Sequence, residues 1–213
     1  MAKPRVTVVD YGAGNLLSVR RGLERCDAEV VLTSDPDTLL NAERVVLPGV
    51  GAFESAMQAL CVKELTFPLQ RIARRGTPLL GICLGMQLLL DESEEFGITA
   101  GLGIIPGRVV PIPRETVSGM PQKIPHIGWS ALHPADKPWK GTLLEDVKQG
   151  EAAYFLHSFM ADPTDPTNRI ADCLYGGHRV SALIGNGSTT GCQFHPEKSG
   201  EFGLKILRRF VES

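Results

Sequence analysis

Hydrophobic positions in the first half of the chain fall into two alternating kinds of segment. Short β-branched runs predict strands, whereas apolar residues at helical spacing, such as Leu16, Val19 and Leu23, predict helices. The predicted strands are residues 5–9, 29–32, 44–47 and 77–82, and the predicted helices are residues 16–26, 53–60, 64–75 and 84–90. Strands separated by helices in this way indicate βαβ units, and therefore a mostly parallel sheet flanked by helices.

The second half of the chain has a different pattern, in which proline, glycine and β-branched residues dominate. Strand-like segments joined by short turns predict further strands of the sheet, some of them antiparallel. These segments are residues 109–112, 123–127, 152–159, 170–175, 179–184 and 189–194. An amphipathic helix is predicted over residues 202–211. Because no repeat, low-complexity tract or long linker is visible, we predict a single α/β domain over residues 1–213.

Charge and terminal sequence exclude some classes of protein. The chain has 22 Lys plus Arg and 24 Asp plus Glu, a formal net charge of −2, which argues against a strongly basic nucleic-acid binder. The longest uncharged run, residues 76–90, is too short to span a bilayer. The N-terminus lacks the apolar core of a signal peptide. We therefore expect a cytoplasmic protein that binds neither nucleic acid nor membrane.

The cysteines number five, an odd count without paired spacing, which argues against a disulfide framework. No C-x-x-C motif occurs, and His126, His133 and His178 have no suitably spaced partners, so we expect no metal. We expect no cofactor either. Most of the cysteines are expected to be small buried hydrophobic residues, and the question is whether one of them is different.

Cys83 is the candidate nucleophile. The segment Gly81-Ile82-Cys83-Leu84-Gly85 follows a predicted strand and opens a predicted helix, as in a thiol version of the G-x-S-x-G nucleophile elbow. Glycines are needed on both sides because side chains there would collide with the neighbouring strand and helix. Such a turn places the sulfur at a helix N-terminus, which favours the thiolate, and aims the Leu84 N–H at an oxyanion. The alternative is a buried cysteine in a glycine-rich turn.

His195 is the candidate base, since it is the one histidine with a carboxylate, Glu197, two residues further on. Alternate residues of an extended segment face the same way, so the two side chains can lie together and the carboxylate can fix the imidazole tautomer. We expect Pro196 to keep this segment extended. The alternative is a capping or packed histidine at a strand end.

Several longer segments make these motifs more specific. They read D-Y-G-A-G-N-L at 10–16, L-P-G-V-G-A-F at 47–53, G-I-C-L-G-M-Q at 81–87, P-H-I-G-W at 125–129, Y-F-L-H-S-F at 154–159 and G-C-Q-F-H-P-E-K-S at 191–199. In this order they resemble the class I (triad) glutamine amidotransferases, and within that class the glutaminase subunits of imidazole glycerol phosphate synthases in histidine biosynthesis. The resemblance covers about residues 5–210 and implies the family's flavodoxin-like α/β fold.

The resemblance implies a role for each catalytic residue. Cys83 attacks the carboxamide of glutamine, His195 passes the proton to the leaving ammonia, and Glu197 orients His195. Pro48-Gly49-Val50-Gly51 resembles the family's oxyanion strand, with the N–H groups of Val50 and Leu84 completing the hole. Two glycines would let a peptide plane rotate at little cost, so the hole could be assembled on demand. Without the resemblance, this segment reads as an ordinary Pro-Gly turn.

The resemblance also implies substrate and partner contacts. The substrate-binding positions are Gly49, Gly51, Gln87, His157, Ser158 and Phe159. Phe159 stands where relatives often have Tyr. The partner-facing positions are Asn15, Trp129 and Lys198, which otherwise read as a helix N-cap, a core aromatic residue and a solvated surface charge.

The resemblance implies a heterodimer with a cyclase subunit that has a (β/α)₈ barrel. The sequence supports a separate acceptor enzyme, since the chain has no Walker motif and no G-x-G-x-x-G for an acceptor substrate. Two alternatives stay open at this point. One is the glutaminase subunit of pyridoxal phosphate synthase, and the other is a cysteine hydrolase or DJ-1-like protein that shares the elbow.

Overall fold

Strands and helices alternate through the first half of the chain in the computed structural model, which describes residues 2–213. The helices are α1 (Leu16–Arg25), α2 (Pro36–Leu40), α3 (Phe53–Val62), α4 (Thr66–Arg74), α5 (Leu84–Leu88) and α6 (Gly200–Glu212). The first strands are β1 (Arg5–Val9), β2 (Glu29–Thr33), β3 (Val45–Gly49), β4 (Leu79–Cys83), β5 (Glu92–Ser93), β6 (Thr99–Ala100) and β7 (Gly107–Pro111). The later strands are β8 (His126–Ala131), β9 (His133–Pro134), β10 (Ala152–His157), β11 (Phe159–Pro163), β12 (Arg169–Tyr175), β13 (His178–Asn186) and β14 (Thr189–Cys192).

The main sheet has eight strands in the order β2-β1-β3-β4-β14-β13-β12-β9. Strands β2, β1, β3, β4 and β14 run parallel, and β13, β12 and β9 extend the sheet with antiparallel pairs. The predicted mostly parallel sheet with added antiparallel strands is therefore confirmed. Two smaller sheets accompany it: β10 pairs with β8, and β11-β7-β5-β6 form a four-stranded sheet.

Two apolar clusters form the core. One includes Val19 and Leu23 of α1 together with Leu207 of α6, and the other includes Phe53 of α3 and Ile72 of α4. All five of these side chains are buried, so α1, α3, α4 and α6 each bury an apolar stripe, as the periodicity predicts. No helix within residues 2–213 combines the length and the apolar composition needed to cross a membrane.

Two of the predicted strands are wrong in their bounds. The single strand predicted over residues 152–159 is two strands, β10 and β11, which belong to different small sheets and meet at Ser158. The side chain of His157 bonds the carbonyl of Phe159 at 2.8 Å, which stabilises the bend. The strand predicted over residues 123–127 instead begins at His126 and continues to Ala131, pairing with β10.

Candidate active site

Three neighbouring parallel strands bring the predicted catalytic residues to one edge of the main sheet. Gly49 at the end of β3 lies opposite Cys83 at the end of β4, and Cys192 at the end of β14 lies opposite Ile82. The chain that leaves β14 reaches His195 three residues later. Ligands of open α/β sheets bind outside the carboxyl ends of such strands. The topology therefore places a candidate site where β3, β4 and β14 end.

Cys83 lies at the turn between β4 and α5 and has φ 55° and ψ −111°. A positive φ is strained for a non-glycine residue, and such strain persists where the surroundings hold it. A Cβ on Gly85 would lie 1.8 Å from the carbonyl oxygen of Leu47, and one on Gly81 would lie 2.7 Å from the carbonyl oxygen of Gly85. Both glycines are therefore required by close backbone packing, and the strand–turn–helix geometry predicted for the elbow is confirmed.

His195 and Glu197 form a buried pair beside this turn. Nδ1 of His195 lies 2.8 Å from Oε1 of Glu197, and the Glu197 side chain is fully buried. The prediction that Pro196 keeps this segment extended is wrong, because Pro196–Lys198 form a 3₁₀ turn. Proline suits the first position of a helical turn, and the hydroxyl of Ser199 donates to the carbonyl of His195 at 2.7 Å, which closes the turn.

The electrostatics of His195 favour a proton on the imidazole. Burial lowers the pKa of His195, but the nearby Cys83 sulfur and the Glu197 carboxylate raise it more, so that the pKa rises to about 9. Since Nδ1 is held by Glu197, the nitrogen free to exchange a proton is Nε2. This atom is buried and has no hydrogen-bond partner within residues 2–213.

A cavity of about 250 Å³ opens beside Cys83 and His195. It brings together most of the predicted site residues, since its lining includes Val50, Gly51, Cys83, Leu84, Gln87, His157, Ser158, Phe159 and His195. Gly49 lies behind the lining. A Cβ there would lie 2.7 Å from the Tyr11 hydroxyl and 2.8 Å from the Gly85 nitrogen, so its glycine is required by packing. Gly51, with φ +103°, is the position in this segment that needs the conformational freedom of glycine.

Glu95 also lines the cavity, although the sequence pattern did not predict it. Its Oε2 accepts a hydrogen bond of 2.6 Å from the backbone N–H of Phe53, at the start of α3. A helix N-terminus stabilises a carboxylate, so this group offers a negative charge to a substrate. Its position in the acidic run Asp91–Glu95 gave no periodic signal that could have identified it.

Gln87 connects the cavity wall to the nucleophile. Its Nε2 donates to the carbonyl of Phe159 at 3.0 Å and to Oε1 of Gln193 at 2.9 Å, while Nε2 of Gln193 lies 3.6 Å from the Cys83 sulfur. Both hydrogens of the Gln87 amide are therefore used, and its oxygen is the group that can accept from a ligand. Gln193 was also missed, because its position in a predicted strand suggested only packing.

The three predicted partner-facing residues lie outside the cavity. Asn15 accepts from the N–H of Ser18 at 3.3 Å and caps α1, in agreement with its alternative interpretation. Trp129 is 57% exposed, so its interpretation as a core aromatic residue is wrong. Lys198 is exposed and directly follows the His195–Glu197 pair. In the described part of the chain, no group of three or more His, Cys, Asp or Glu side chains is arranged to hold a metal ion.

Comparison with known proteins shows a matching family model and similar relatives. A family model described as glutamine amidotransferase class-I matches residues 7–213. Imidazole glycerol phosphate synthase subunit HisH 1 from Legionella pneumophila (strain Lens) is 49% identical over 209 residues, covering 97% of this chain and 98% of the relative. The subunit HisH from Geobacillus sp. (strain WCH70) is 46% identical over 209 residues, covering 97% of this chain and 95% of the relative.

Solved structures share the fold at much lower sequence identity. The structure of PurLQS from Thermotoga maritima matches with a TM-score of 0.73 at 20% identity and covers 99% of this chain and 98% of that one. This likeness supports the fold alone. The whole-length relatives favour a HisH-type subunit over the two alternatives left open by the sequence.

Proposed function

Because the chain belongs to the class I glutamine amidotransferase family and is of the HisH type, we propose that it is the glutaminase subunit of an imidazole glycerol phosphate synthase. It hydrolyses L-glutamine to glutamate and ammonia for histidine biosynthesis. The observation that carries this proposal is the strained Cys83 turn, which faces the same cavity as the buried His195–Glu197 pair. We propose that the whole chain acts as one domain, since the strands that carry the site come from both halves of the sequence.

Glutamine binds with its side-chain carboxamide at Cys83 and its amino-acid end toward Glu95. The Glu95 carboxylate and the Gln87 oxygen attract the α-ammonium group, because both are acceptors at the cavity wall. The turn formed by His157, Ser158 and Phe159 holds the α-carboxylate through its main chain. Because these contacts are main-chain contacts, Phe159 in place of Tyr costs little.

Thioester formation begins with attack of the Cys83 thiolate on the carboxamide carbon. The carbonyl oxygen becomes an oxyanion, which accepts hydrogen bonds from the N–H groups of Leu84 and Val50. Nε2–H of His195 gives its proton to the nitrogen, the C–N bond breaks, and ammonia leaves. The Glu197 carboxylate stabilises the imidazolium through Nδ1 while that proton is held.

Hydrolysis of the thioester uses the same groups, with His195 now acting as a base instead of an acid. His195, now neutral, accepts a proton from water at Nε2, and the resulting hydroxide attacks the thioester carbonyl. The oxyanion forms again in the hole, the C–S bond breaks, and Cys83 leaves as the thiolate beside the reprotonated imidazole. Glutamate is released and the starting state is restored.

The ammonia acceptor is a cyclase subunit with a (β/α)₈ barrel, which docks over the cavity to form a heterodimer. The support is an exposed apolar patch at the cavity entrance, the mouth patch, formed by Val50, Ile127, Trp129 and Leu156. Val50 and Leu156 line the cavity, and Ile127 lies opposite Leu156 in the β8–β10 pair. Exposed apolar patches of this kind mark protein interfaces. Asn15 and Lys198 are further partner-facing positions in this proposal.

The cellular location we propose is the cytoplasm. All five cysteines are free thiols, as suits a reducing compartment.

Replacing the nucleophile tests the activity. We expect Cys83→Ala to abolish glutamate release, while ammonia-dependent synthesis by the assembled complex continues. Cys61→Ala is the matched control, because Cys61 is exposed on the outer side of α3. Glutamine-dependent synthesis by Cys83→Ala would show that another group is the nucleophile, and a glutamyl adduct trapped on Cys83 by mass spectrometry would support the thioester.

A further inference from the structure

A chain of hydrogen bonds runs behind the cavity wall, through two histidines that the proposed reaction does not use as acids or bases. Nε2 of His126 lies 2.9 Å from the Ser130 hydroxyl, and its Nδ1 lies 3.0 Å from Nε2 of His157. Nδ1 of His157 in turn lies 2.8 Å from the carbonyl oxygen of Phe159. Both histidines are buried, with 2% and 6% of their surface exposed.

The hydrogen-bonding groups at the two ends determine the position of every proton in this series of hydrogen bonds. A carbonyl oxygen only accepts, so His157 must donate through Nδ1–H to Phe159. Burial lowers the pKa of His157 to about 3 and that of His126 to about 4, so both rings are neutral at pH 7. Nε2 of His157 therefore accepts, His126 donates through Nδ1–H, and Nε2 of His126 accepts from the hydroxyl of Ser130.

The carbonyl of Phe159 is the point where this series of hydrogen bonds reaches the candidate site. It accepts from His157 on one side and from Nε2 of Gln87 on the other. It also belongs to the bend at Ser158, where the chain leaves the β8–β10 sheet and enters the four-stranded one. Residues 157–159 line the cavity, so the orientation of this carbonyl sets the position of the turn that faces the substrate.

We propose that His126 is a positioning residue for glutamine hydrolysis. It acts through His157 to hold the Phe159 carbonyl, and with it the turn over residues 157–159, in the orientation that binds substrate. This inference rests on the proposed glutaminase function.

Packing alone would not require a histidine at this position. The His126 ring stacks between Phe155 and Tyr175, with ring centroids 4.9 Å and 4.1 Å away. Phenylalanine would preserve this stacking but would leave Nε2 of His157 without a donor. Asparagine would lose the stacking but keep an N–H close to the position of Nδ1. The two substitutions therefore separate packing from positioning.

The kinetic test compares His126→Phe with His126→Asn, in the presence of the cyclase subunit. For His126→Phe we expect the KM for glutamine to rise about tenfold, as for the loss of one buried hydrogen bond, with ammonia-dependent synthesis unchanged. For His126→Asn we expect a KM within about threefold of the unsubstituted chain. His133→Phe is the matched control, because His133 is exposed on β9. An asparagine variant as impaired as the phenylalanine variant, or more so, would overturn the proposal.

A spectroscopic measurement tests the hydrogen-bond order without relying on turnover. Nitrogen-15 NMR of the unsubstituted chain should show both His126 and His157 as Nδ1–H tautomers. An Nε2–H tautomer for either, together with normal turnover, would refute the positioning role alone. If the unsubstituted chain with its cyclase subunit hydrolyses no glutamine, the proposed function fails and the positioning role fails with it.

Discussion

Glu197→Gln isolates the charge of the carboxylate that we propose orients His195. The substituted amide keeps an oxygen that can accept from Nδ1 of His195, so the geometry of the 2.8 Å contact can persist. The carboxylate is fully buried, and its other oxygen has no hydrogen-bond partner within the described residues. Within those residues, His195 is therefore the one side chain that the carboxylate hydrogen-bonds. A hydrogen bond to a charged group contributes about 1.5–3 kcal/mol. Glutamine replaces it with a neutral hydrogen bond worth about 0.5–1.5 kcal/mol, and the difference of about 1–1.5 kcal/mol predicts a fall in kcat of roughly 5- to 10-fold.

The pH dependence of turnover gives a second, independent test of this prediction. Glu197 is one of the groups that raise the pKa of His195 to about 9. Without the negative charge that pKa falls, so less imidazolium is available to protonate the leaving ammonia as the pH rises. We therefore expect the deficit of Glu197→Gln to be smaller below neutral pH and to grow in mildly alkaline buffer.

The assay is glutamate release in the presence of the cyclase subunit, with ammonia-dependent synthesis as the check on folding. Glu201→Gln is the matched control, because Glu201 is exposed at the start of α6. His195→Ala should be more severe than Glu197→Gln, since it removes the proton-transferring group itself. Equal and complete loss in both variants, or an unaltered rate in Glu197→Gln, would refute the orienting role.

Two further predictions concern stability. Gly85→Ala should lower the free energy of unfolding by at least about 3 kcal/mol, because its Cβ would lie 1.8 Å from the carbonyl oxygen of Leu47. Gly119→Ala is the control: Gly119 has φ +78° and open space around its Cβ position, so this substitution should lower it by about 1–2 kcal/mol. Chemical denaturation measures both losses, and equal losses would contradict the packing argument. Stability should also fall as the pH drops below about 6.5, because His126 and His157 stay neutral in the folded chain while unfolded imidazoles bind protons. Denaturant midpoints across this range check the sign, and His126→Phe should make the slope shallower.

The His195–Glu197 contact and the sharp turn at Cys83 were predictable from sequence because their signals are local. The glycines around Cys83 are demanded by backbone contacts within a strand–turn–helix unit, and a two-residue spacing brings Glu197 to His195 in a 3₁₀ turn as well as in a strand. The parallel sheet was predictable for a similar reason, since each βαβ unit is a contiguous segment.

The cavity wall was not predictable in the same way, because it depends on contacts between distant segments. Apolar residues 152–156 are followed, after only His157 and Ser158, by apolar residues 159–161 with no glycine or proline between them, so nothing local distinguishes one long strand from two strands in different sheets. Glu95 meets the start of α3 only after the four-stranded sheet has formed beside it. Gln193 lies beside the predicted base, but its contacts with Gln87 and Cys83 follow from the order β4-β14 in the main sheet.

The pairing of β4 with β14 also has a consequence for synthesis of the protein. Gln193, the residue that follows β14, reaches the Cys83 sulfur across 110 residues of sequence, and His195 follows two residues later. A nascent chain that has completed the turn at Cys83 therefore lacks His195, the base we propose, and its central sheet lacks β14, one of the two neighbours of β4. Such non-local pairing forms late because its loop must close first. With the roles proposed for Cys83 and His195, an unfinished polypeptide is expected to be inert toward glutamine, and activity would mark the completion of folding.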